Sequence, residues 1–251
     1  MSGSAKGRVP DDHEAAPYWT RSREPLQILV FVLPLVLIYE IGLFVIARGG
    51  GEVPRLLAYR SVEEAFEAMG LAAVGTALPA ILVLLALLAW QVLSKKPWRL
   101  HWPTSLVMAA ESLALAVPIL LFATLLVGGA APPPAELVAP ATGNTVLEGV
   151  VTSVGAGLYE EFLFRWIMIA TLHAILHDGF KVADRTATVI AVALSSLVFM
   201  LAHGPEDLAH AMFFLGTGLF LSVIYVVREF GVAAGTHAAY DILVEILGTS
   251  G

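Results

Sequence analysis

The chain has 251 residues, of which 58% are hydrophobic and only 14% charged, and its formal net charge at pH 7 is -7. A soluble domain carries about 25% charged residues, so this composition excludes an ordinary soluble protein and indicates a membrane protein. The negative charge without a basic cluster argues against nucleic-acid binding. Because the sequence has no cysteine, it offers no disulfide, thiol nucleophile or thiolate metal ligand.

Residues 1–25 predict a loose polar tail that prolines interrupt. The apolar run after it is too long for a signal peptide and lacks a small-residue cleavage site, so the first span is expected to stay as a signal anchor. A helix needs about 20 apolar residues to cross a hydrocarbon core of roughly 30 Å. By this measure the sequence predicts about seven transmembrane helices. They cover approximately residues 26–47, 71–93, 105–127, 145–177, 187–203, 208–227 and 231–247.

The segments between and within these spans carry three further expectations. Residues 52–70 have one apolar helical face, which predicts either a short helix on the membrane surface or a solvated loop helix. Residues 128–144 are rich in glycine and proline and predict an extramembrane loop. As a single helix, residues 145–177 would measure roughly 50 Å, more than a bilayer core needs. This segment is expected to tilt strongly or to break, and Gly155 and Gly157 are the natural place for a break.

The distribution of lysine and arginine predicts the orientation. Most of these residues outside the spans fall on the side of the membrane that holds the N-terminus. Since basic loops face the cytoplasm, we expect a cytoplasmic N-terminus and a C-terminus on the opposite side. The expected location is the cytoplasmic membrane of the cell.

Three formal charges, Glu160, Glu161 and Arg165, lie inside one of the most apolar segments. Intramembrane charges are costly and usually line a cavity where they do chemistry or transport. Glu161 and Arg165 are one helical turn apart with the acid first, which favours an ion pair. Glu160 is then left without a local cation, and a partly desolvated carboxyl suits a general acid or base. The alternative is a buried network that only locks helices together.

Histidines on two later spans are candidate partners for this group. His203 ends an apolar helix, with Phe199 one turn before it, and a lone histidine there is more often interfacial or hydrogen-bonded than catalytic. His237 and Asp241 are one turn apart, so both face the same side of their helix. Their alternative role is a polar clamp between helices.

Two weaker candidates lie elsewhere. His173 and His177 are also one turn apart but lie at the boundary end of their span, so we interpret them as interfacial, with metal binding as the alternative. Glu40, in the first span, is either functional or a helix-packing carboxylate.

A carboxylate and two histidines in one membrane cavity can activate water as general base and acid. They can also act as ligands of a zinc ion, and the ligands here would be Glu160, His203 and His237. The zinc-protease motif H-E-x-x-H and the serine elbow G-x-S-x-G are both absent from the sequence.

The motifs E-E-x-x-x-R, F-x-x-x-H and H-x-x-x-D, in that order on successive spans, resemble the CAAX prenyl protease and bacteriocin-processing (CPBP, or Abi) family of intramembrane endopeptidases. The resemblance covers about residues 145–247. It implies an all-α, polytopic bundle of about seven transmembrane helices with the active-site cavity inside it. Together with the apolar runs, it predicts three parts of the chain: a polar tail over 1–25, N-terminal membrane helices over 26–140 and a catalytic core over 141–251.

The resemblance also implies catalytic roles for four residues. Glu160, with His203, would activate the water that attacks the scissile carbonyl. His237 and the residue one turn later would stabilise the oxyanion. The prenyl-protein proteases carry asparagine at the position of Asp241, and an ionised aspartate cannot donate a hydrogen bond. We therefore expect Asp241 to orient His237 or to be protonated.

Three supporting positions complete the expected site. They are Glu161, Arg165 and Phe199. Family members are often described as metalloproteases, whereas the prenyl-protein branch resembles a glutamate-dependent enzyme, so zinc stays an open alternative.

The expected function is an intramembrane endopeptidase that hydrolyses a peptide bond in a membrane-proximal or lipidated protein or peptide. Its partners are that substrate and the lipid bilayer. Two alternatives belong to other classes: a non-proteolytic membrane scaffold or immunity protein, and a proton-coupled transporter in which Glu160, the histidines and Glu40 form a proton relay.

Overall fold

The structure is a computed structural model that describes residues 16–49, 78–127 and 146–248. The expectations of a surface helix within 52–70 and of a loop over 128–144 lie outside the described residues. Within these ranges every regular element is helical, as the fold class predicted.

The helices begin and end close to the predicted spans. They are α1 (Tyr18–Arg21), α2 (Pro25–Arg48), α3 (Leu78–Ser94), α4 (Trp102–Val127), α5 (Val146–Glu160), α6 (Ala170–Ala174), α7 (Asp184–Ala202) and α8 (Leu208–Gly248). Two π-helical stretches, Glu161–Ile169 and Ile175–Gly179, flank α6. Residues 146–179 therefore form one continuous helical segment, which we call the composite helix.

Helix α8 is a hairpin that reverses at Glu229. The backbone of this residue leaves the helical region, with φ 66° and ψ 178°. The rings of Phe213 and Tyr240 lie 6.1 Å apart, although a straight helix would separate these residues by roughly 40 Å. We call residues 208–228 the first arm and residues 230–248 the second arm. The prediction of separate sixth and seventh spans is confirmed, and the described residues form seven long helical segments.

The composition of these segments is that of a membrane bundle. Four helices in the described ranges are long and apolar enough to cross a membrane: Pro25–Arg48, Trp102–Leu126, Asp184–Ala202 and Leu208–Leu247, the last being the hairpin. Pro79–Ser94 is a shorter apolar helix. Large apolar side chains stay on the outer faces, such as Leu106 with 75% of its surface exposed, and a bilayer would cover them. The protein is an integral membrane protein.

Of the two alternatives for this segment, a strong tilt or a break, the break at the glycines is wrong, because the composite helix continues through them. Gly155 and Gly157 are helical and buried within α5. A Cβ atom at Gly157 would lie only 2.5 Å from the backbone nitrogen of Ala238, so this glycine lets the second arm approach closely. The irregular geometry begins instead at Glu161, where the helix widens into its first π-helical stretch. Such π-helical turns occur frequently at functional sites.

The end of the N-terminal tail is docked rather than loose, so that expectation is wrong for residues 18–24. Arg228 donates from Nε and Nη2 to the two carboxylate oxygens of Glu111, at 2.7 and 2.8 Å, and from Nη2 to the Ser22 hydroxyl at 2.8 Å. The Tyr18 hydroxyl donates to the same Glu111 carboxylate. Burial and this hydrogen bond raise the pKa of Tyr18 to about 12. We call this group the turn cluster, because it lies beside the reversal of α8.

Candidate active site

The carboxyl group of Glu160 is the centre of the site. Glu160 is 3% exposed at the end of α5. Its Oε2 atom lies 3.6 Å from Nε2 of His203 and 4.0 Å from Nε2 of His237. Within the described part of the chain, that oxygen has no hydrogen-bond partner. The structure thus brings together the three residues that the sequence predicted would converge, although they come from three separate helices.

The His203 ring is held so that one nitrogen is directed at Glu160. His203 caps the C-terminal end of α7. Its Nδ1 lies 2.8 Å from the carbonyl oxygen of Phe199, so Nδ1 carries the donated hydrogen and Nε2 is the nitrogen near the carboxyl. The ring of Phe214 stacks on the imidazole at 4.4 Å between centroids, which keeps its plane in place.

Glu161 holds the second histidine. Its side chain is fully buried, and Oε1 lies 2.8 Å from Nδ1 of His237. The same oxygen lies 2.8 Å from Nη1 of Arg165, so the predicted ion pair is present. Nη2 of Arg165 also donates to the carbonyl oxygen of Gly218 at 3.3 Å. Because Nδ1 of His237 is engaged in this way, its Nε2 is left on the side of Glu160.

Asp241, which we expected either to orient His237 or to be protonated, lies near Nε2 of that ring. Its Oδ2 lies 3.5 Å from Nε2 of His237, on the cavity side of the ring. The hydrogen bond that fixes the ring comes from Glu161 instead. Asp241 is therefore a second buried carboxyl beside the reactive nitrogen of His237.

Phe199 is the apolar centre around which the charged groups pack. Its ring lies 4.3 Å below the guanidinium of Arg165, an arrangement that favours the cation. The His203 ring lies 4.4 Å away and the His237 ring 6.1 Å away. Its position explains how one phenylalanine can support both histidines and the arginine.

These groups line one partly open cavity inside the bundle. Its walls are Ala156, Glu160, Phe199, His203, Phe213, Phe214, Thr217, His237, Tyr240 and Asp241. Thr217 and Tyr240 were not predicted as site residues. No motif marks Thr217, and its place in the wall follows from the reversal of α8, which spacing along the chain does not show. Tyr240 lies within the third motif, and its position one residue before Asp241 was the signal available for it.

Comparison with protein families supports the resemblance that the sequence motifs indicated. The family model described as type II CAAX prenyl endopeptidase Rce1-like matches residues 142–243. The match supports the resemblance to this family over about two fifths of the chain. The matched segment holds all four residues of the predicted catalytic set. Searches of curated proteins and of solved structures returned no match.

The other histidine pair lies outside the cavity. Nε2 of His173 lies 3.0 Å from the Asp184 carboxylate, and Nδ1 of His177 lies 2.9 Å from the carbonyl oxygen of Val182. Both rings are thus engaged at the end of the composite helix, each with a partner near the start of α7.

Glu40 and Asp207 also lie outside the cavity. Glu40 accepts a hydrogen bond from the hydroxyl of Tyr159 at 3.1 Å. Asp207 precedes α8 and accepts from the backbone N–H of His210 at 2.8 Å. That bond, together with the contact to the His210 ring, lowers the pKa of Asp207. Both carboxylates have local structural partners.

The site contains donor types that zinc ions use. Carboxylate and imidazole groups are common zinc ligands. Across residues 16–49, 78–127 and 146–248, however, no group of three His, Asp or Glu side chains is placed so that it could hold a metal ion.

Proposed function

We propose that the protein is an intramembrane endopeptidase that hydrolyses a peptide bond in a membrane-proximal or lipidated peptide, with Glu160 as general base. The single observation that supports this proposal is the position of Glu160 Oε2. It is a buried carboxylate oxygen that meets no hydrogen-bond partner in the described ranges, and two imidazole Nε2 atoms lie within 4.0 Å of it. A carboxylate in such a cavity can hold and deprotonate a water molecule.

The reaction follows from these positions. Glu160, assisted by His203, takes a proton from a water molecule as the water oxygen bonds to the scissile carbonyl carbon. The carbonyl electron pair moves onto its oxygen and forms an oxyanion beside His237. The proton then passes from Glu160 to the amide nitrogen, the carbon–nitrogen bond breaks, and a carboxylic acid and an amine form. The acid's proton then moves to the amine, so that a carboxylate and an ammonium group leave. Glu161 and Arg165 take no part in the bond changes, because their role is to hold His237.

An apolar space beside the cavity is an argument for a lipidated substrate. This apolar space lies between α4 and the first arm, and its lining includes Pro118, Phe122 and Phe220. Thr217 lines both this space and the catalytic cavity. A hydrocarbon chain lodged there would place the attached peptide near Glu160. The name of the matching family points to a prenylated cysteine near a C-terminus as the first substrate to test.

The test uses the full chain in proteoliposomes with a quenched fluorescent peptide that ends in a farnesylated Cys-aliphatic-aliphatic-X sequence. The same peptide without its farnesyl group measures the contribution of the lipid. Mass spectrometry of the products identifies the bond cleaved. We expect Glu160→Gln to lower kcat by about 100- to 10,000-fold, the usual contribution of a general base.

Glu245→Gln is the matched control. Glu245 is a buried glutamate on the second arm, but it does not line the cavity, so its variant is expected to cleave at the wild-type rate. Wild-type cleavage by Glu160→Gln would refute the catalytic assignment. A wild-type protein that cleaves neither peptide would favour the scaffold alternative. Substrate-dependent proton flux in the same liposomes would favour the transporter.

A further inference from the structure

An endopeptidase of this kind needs hydrogen-bond donors for the oxyanion. The site residues that the sequence predicted supply too few such donors. Donors aimed at a developing oxyanion commonly provide a large part of the rate enhancement. Of the groups assigned to this role by resemblance, only His237 can donate. Asp241 is a carboxyl group, and when ionised it would repel the negative oxygen.

Two other side chains in the same wall have hydroxyl groups without a partner. Thr217 is 5% exposed and Tyr240 is 2% exposed. Neither Oγ1 of Thr217 nor the phenol oxygen of Tyr240 makes a hydrogen bond within the described residues. Both residues line the cavity that contains Glu160. A buried polar group left unpaired costs about 1–3 kcal/mol, and native proteins rarely retain one without a use.

Several other buried hydroxyl groups of serine and threonine in this bundle are paired within their own helix. The hydroxyl of Thr152 donates to the carbonyl oxygen one turn earlier on its own helix, at 2.8 Å, and that of Ser153 does the same. Ser196 follows this pattern as well. Such back-bonding is the usual solution for serine and threonine within a helix. Thr217 departs from it, and its hydroxyl remains available to a group that enters the cavity.

We propose that the hydroxyl groups of Thr217 and Tyr240 donate hydrogen bonds to the oxyanion. The proposal rests on the function proposed above. As the water oxygen bonds to the carbonyl carbon, the electron pair that moves onto the carbonyl oxygen is met by these two O–H donors. Neither hydroxyl gives up its proton, and both are released when the carbon–nitrogen bond breaks. Thr217 comes from the first arm and Tyr240 from the second, so the hairpin assembles the donor pair.

The test removes each hydroxyl with little change of shape. In Thr217→Val and Tyr240→Phe we expect kcat on the farnesylated peptide to fall about 10- to 1,000-fold, in the range of a lost oxyanion donor, while KM changes less than threefold. Thr217→Ser keeps the hydroxyl and is expected to recover most of the activity. The matched controls, Thr152→Val and Tyr225→Phe, alter residues outside the cavity and should keep wild-type kcat.

A second measurement separates a catalytic role from a structural one. A phosphonate analogue of the same peptide presents an anionic oxygen in place of the oxyanion. We expect its affinity to fall by the same factor as kcat/KM in each variant, whereas the affinity for the uncleaved product peptide stays unchanged. If Thr217→Val fails to fold in detergent, Thr217→Ala provides the same comparison.

The outcomes distinguish this proposal from the function on which it rests. Wild-type kcat in either folded variant removes that residue from the oxyanion site, and wild-type kcat in both overturns the proposal while Glu160→Gln is still inactive. Normal cleavage by Glu160→Gln would instead refute the proposed function itself. An equal fall in affinity for the phosphonate and for the product peptide would show ordinary substrate binding and would also overturn the proposal.

Discussion

The turn cluster and the active site are two groups of charged side chains inside the same apolar bundle. They differ in how many of their polar atoms have hydrogen-bond partners. In the turn cluster, Arg228 meets Glu111 through two parallel hydrogen bonds and uses the same guanidinium to reach Ser22. In the active site, Glu160 Oε2 has no partner in the described part of the chain, and the same is true of the Thr217 and Tyr240 hydroxyls. A fully paired cluster holds helices together. Buried polar atoms without partners mark the place where a ligand completes the pairing.

The largest expected effect is a difference in stability between variants of Glu160 and Glu161, the two adjacent carboxyls of the active site. Glu161→Gln removes the partner of both Arg165 and His237, and breaking a buried ion pair typically costs roughly 3–5 kcal/mol. Both stability and activity should fall. Glu160→Gln should abolish cleavage with little loss of stability, because its Oε2 makes no hydrogen bond to the described residues. The check is to measure, for each variant, the free energy of unfolding in detergent and the rate of peptide cleavage. Equal destabilisation by the two variants would contradict it.

The next effect tests the close contact that brings the second arm to α5. Gly157→Ala places a Cβ atom 2.5 Å from the backbone nitrogen of Ala238, next to His237. We expect a loss of about 1–3 kcal/mol, the usual cost of overpacking, together with lower kcat because the helix carrying His237 must shift. The measurements are thermal unfolding and peptide cleavage. Gly179→Ala is the matched control, since a Cβ atom there meets nothing within 4 Å. A stable, fully active Gly157→Ala variant would refute the role of this contact.

A smaller effect is expected in the turn cluster. Glu111→Gln keeps the shape but removes the charge that Arg228 pairs with, and we expect a loss of roughly 1–3 kcal/mol, as for hydrogen bonds to charged groups. The kcat should stay within threefold of wild type, since none of the cavity walls comes from this cluster. Thermal unfolding and the peptide assay decide the point. A large fall in kcat without loss of stability would mean that the two clusters are coupled.

The smallest expected effect is that of a chelator. Because the proposed reaction uses Glu160 and the two histidines directly, cleavage should continue at its normal rate after extensive treatment with EDTA and 1,10-phenanthroline. Elemental analysis of the purified protein and addition of zinc complete the test. Loss of activity that zinc restores would replace the general-base mechanism by the zinc alternative.

Two sequence expectations were wrong for the same physical reason. Gly155 and Gly157 weaken an isolated helix, which is why a break was expected there, but Gly157 instead allows close contact with Ala238. The residues before α2 look polar and loose, yet Tyr18 and Ser22 contact Glu111 and Arg228. In both cases a partner far along the chain overrides the local preference.

The sequence by itself determined that the chain is a membrane bundle, where most of its helices lie, and which charged residues form motifs. Apolar run length and helical spacing are local properties, so these features could be predicted. Only the tertiary structure decided that Glu161 holds His237 and that the hairpin in α8 places Thr217 beside Tyr240 in the wall of the cavity. The physical reason is that spacing tells which face of a helix a residue occupies. Which partner that face meets depends on how the helices rotate and pack.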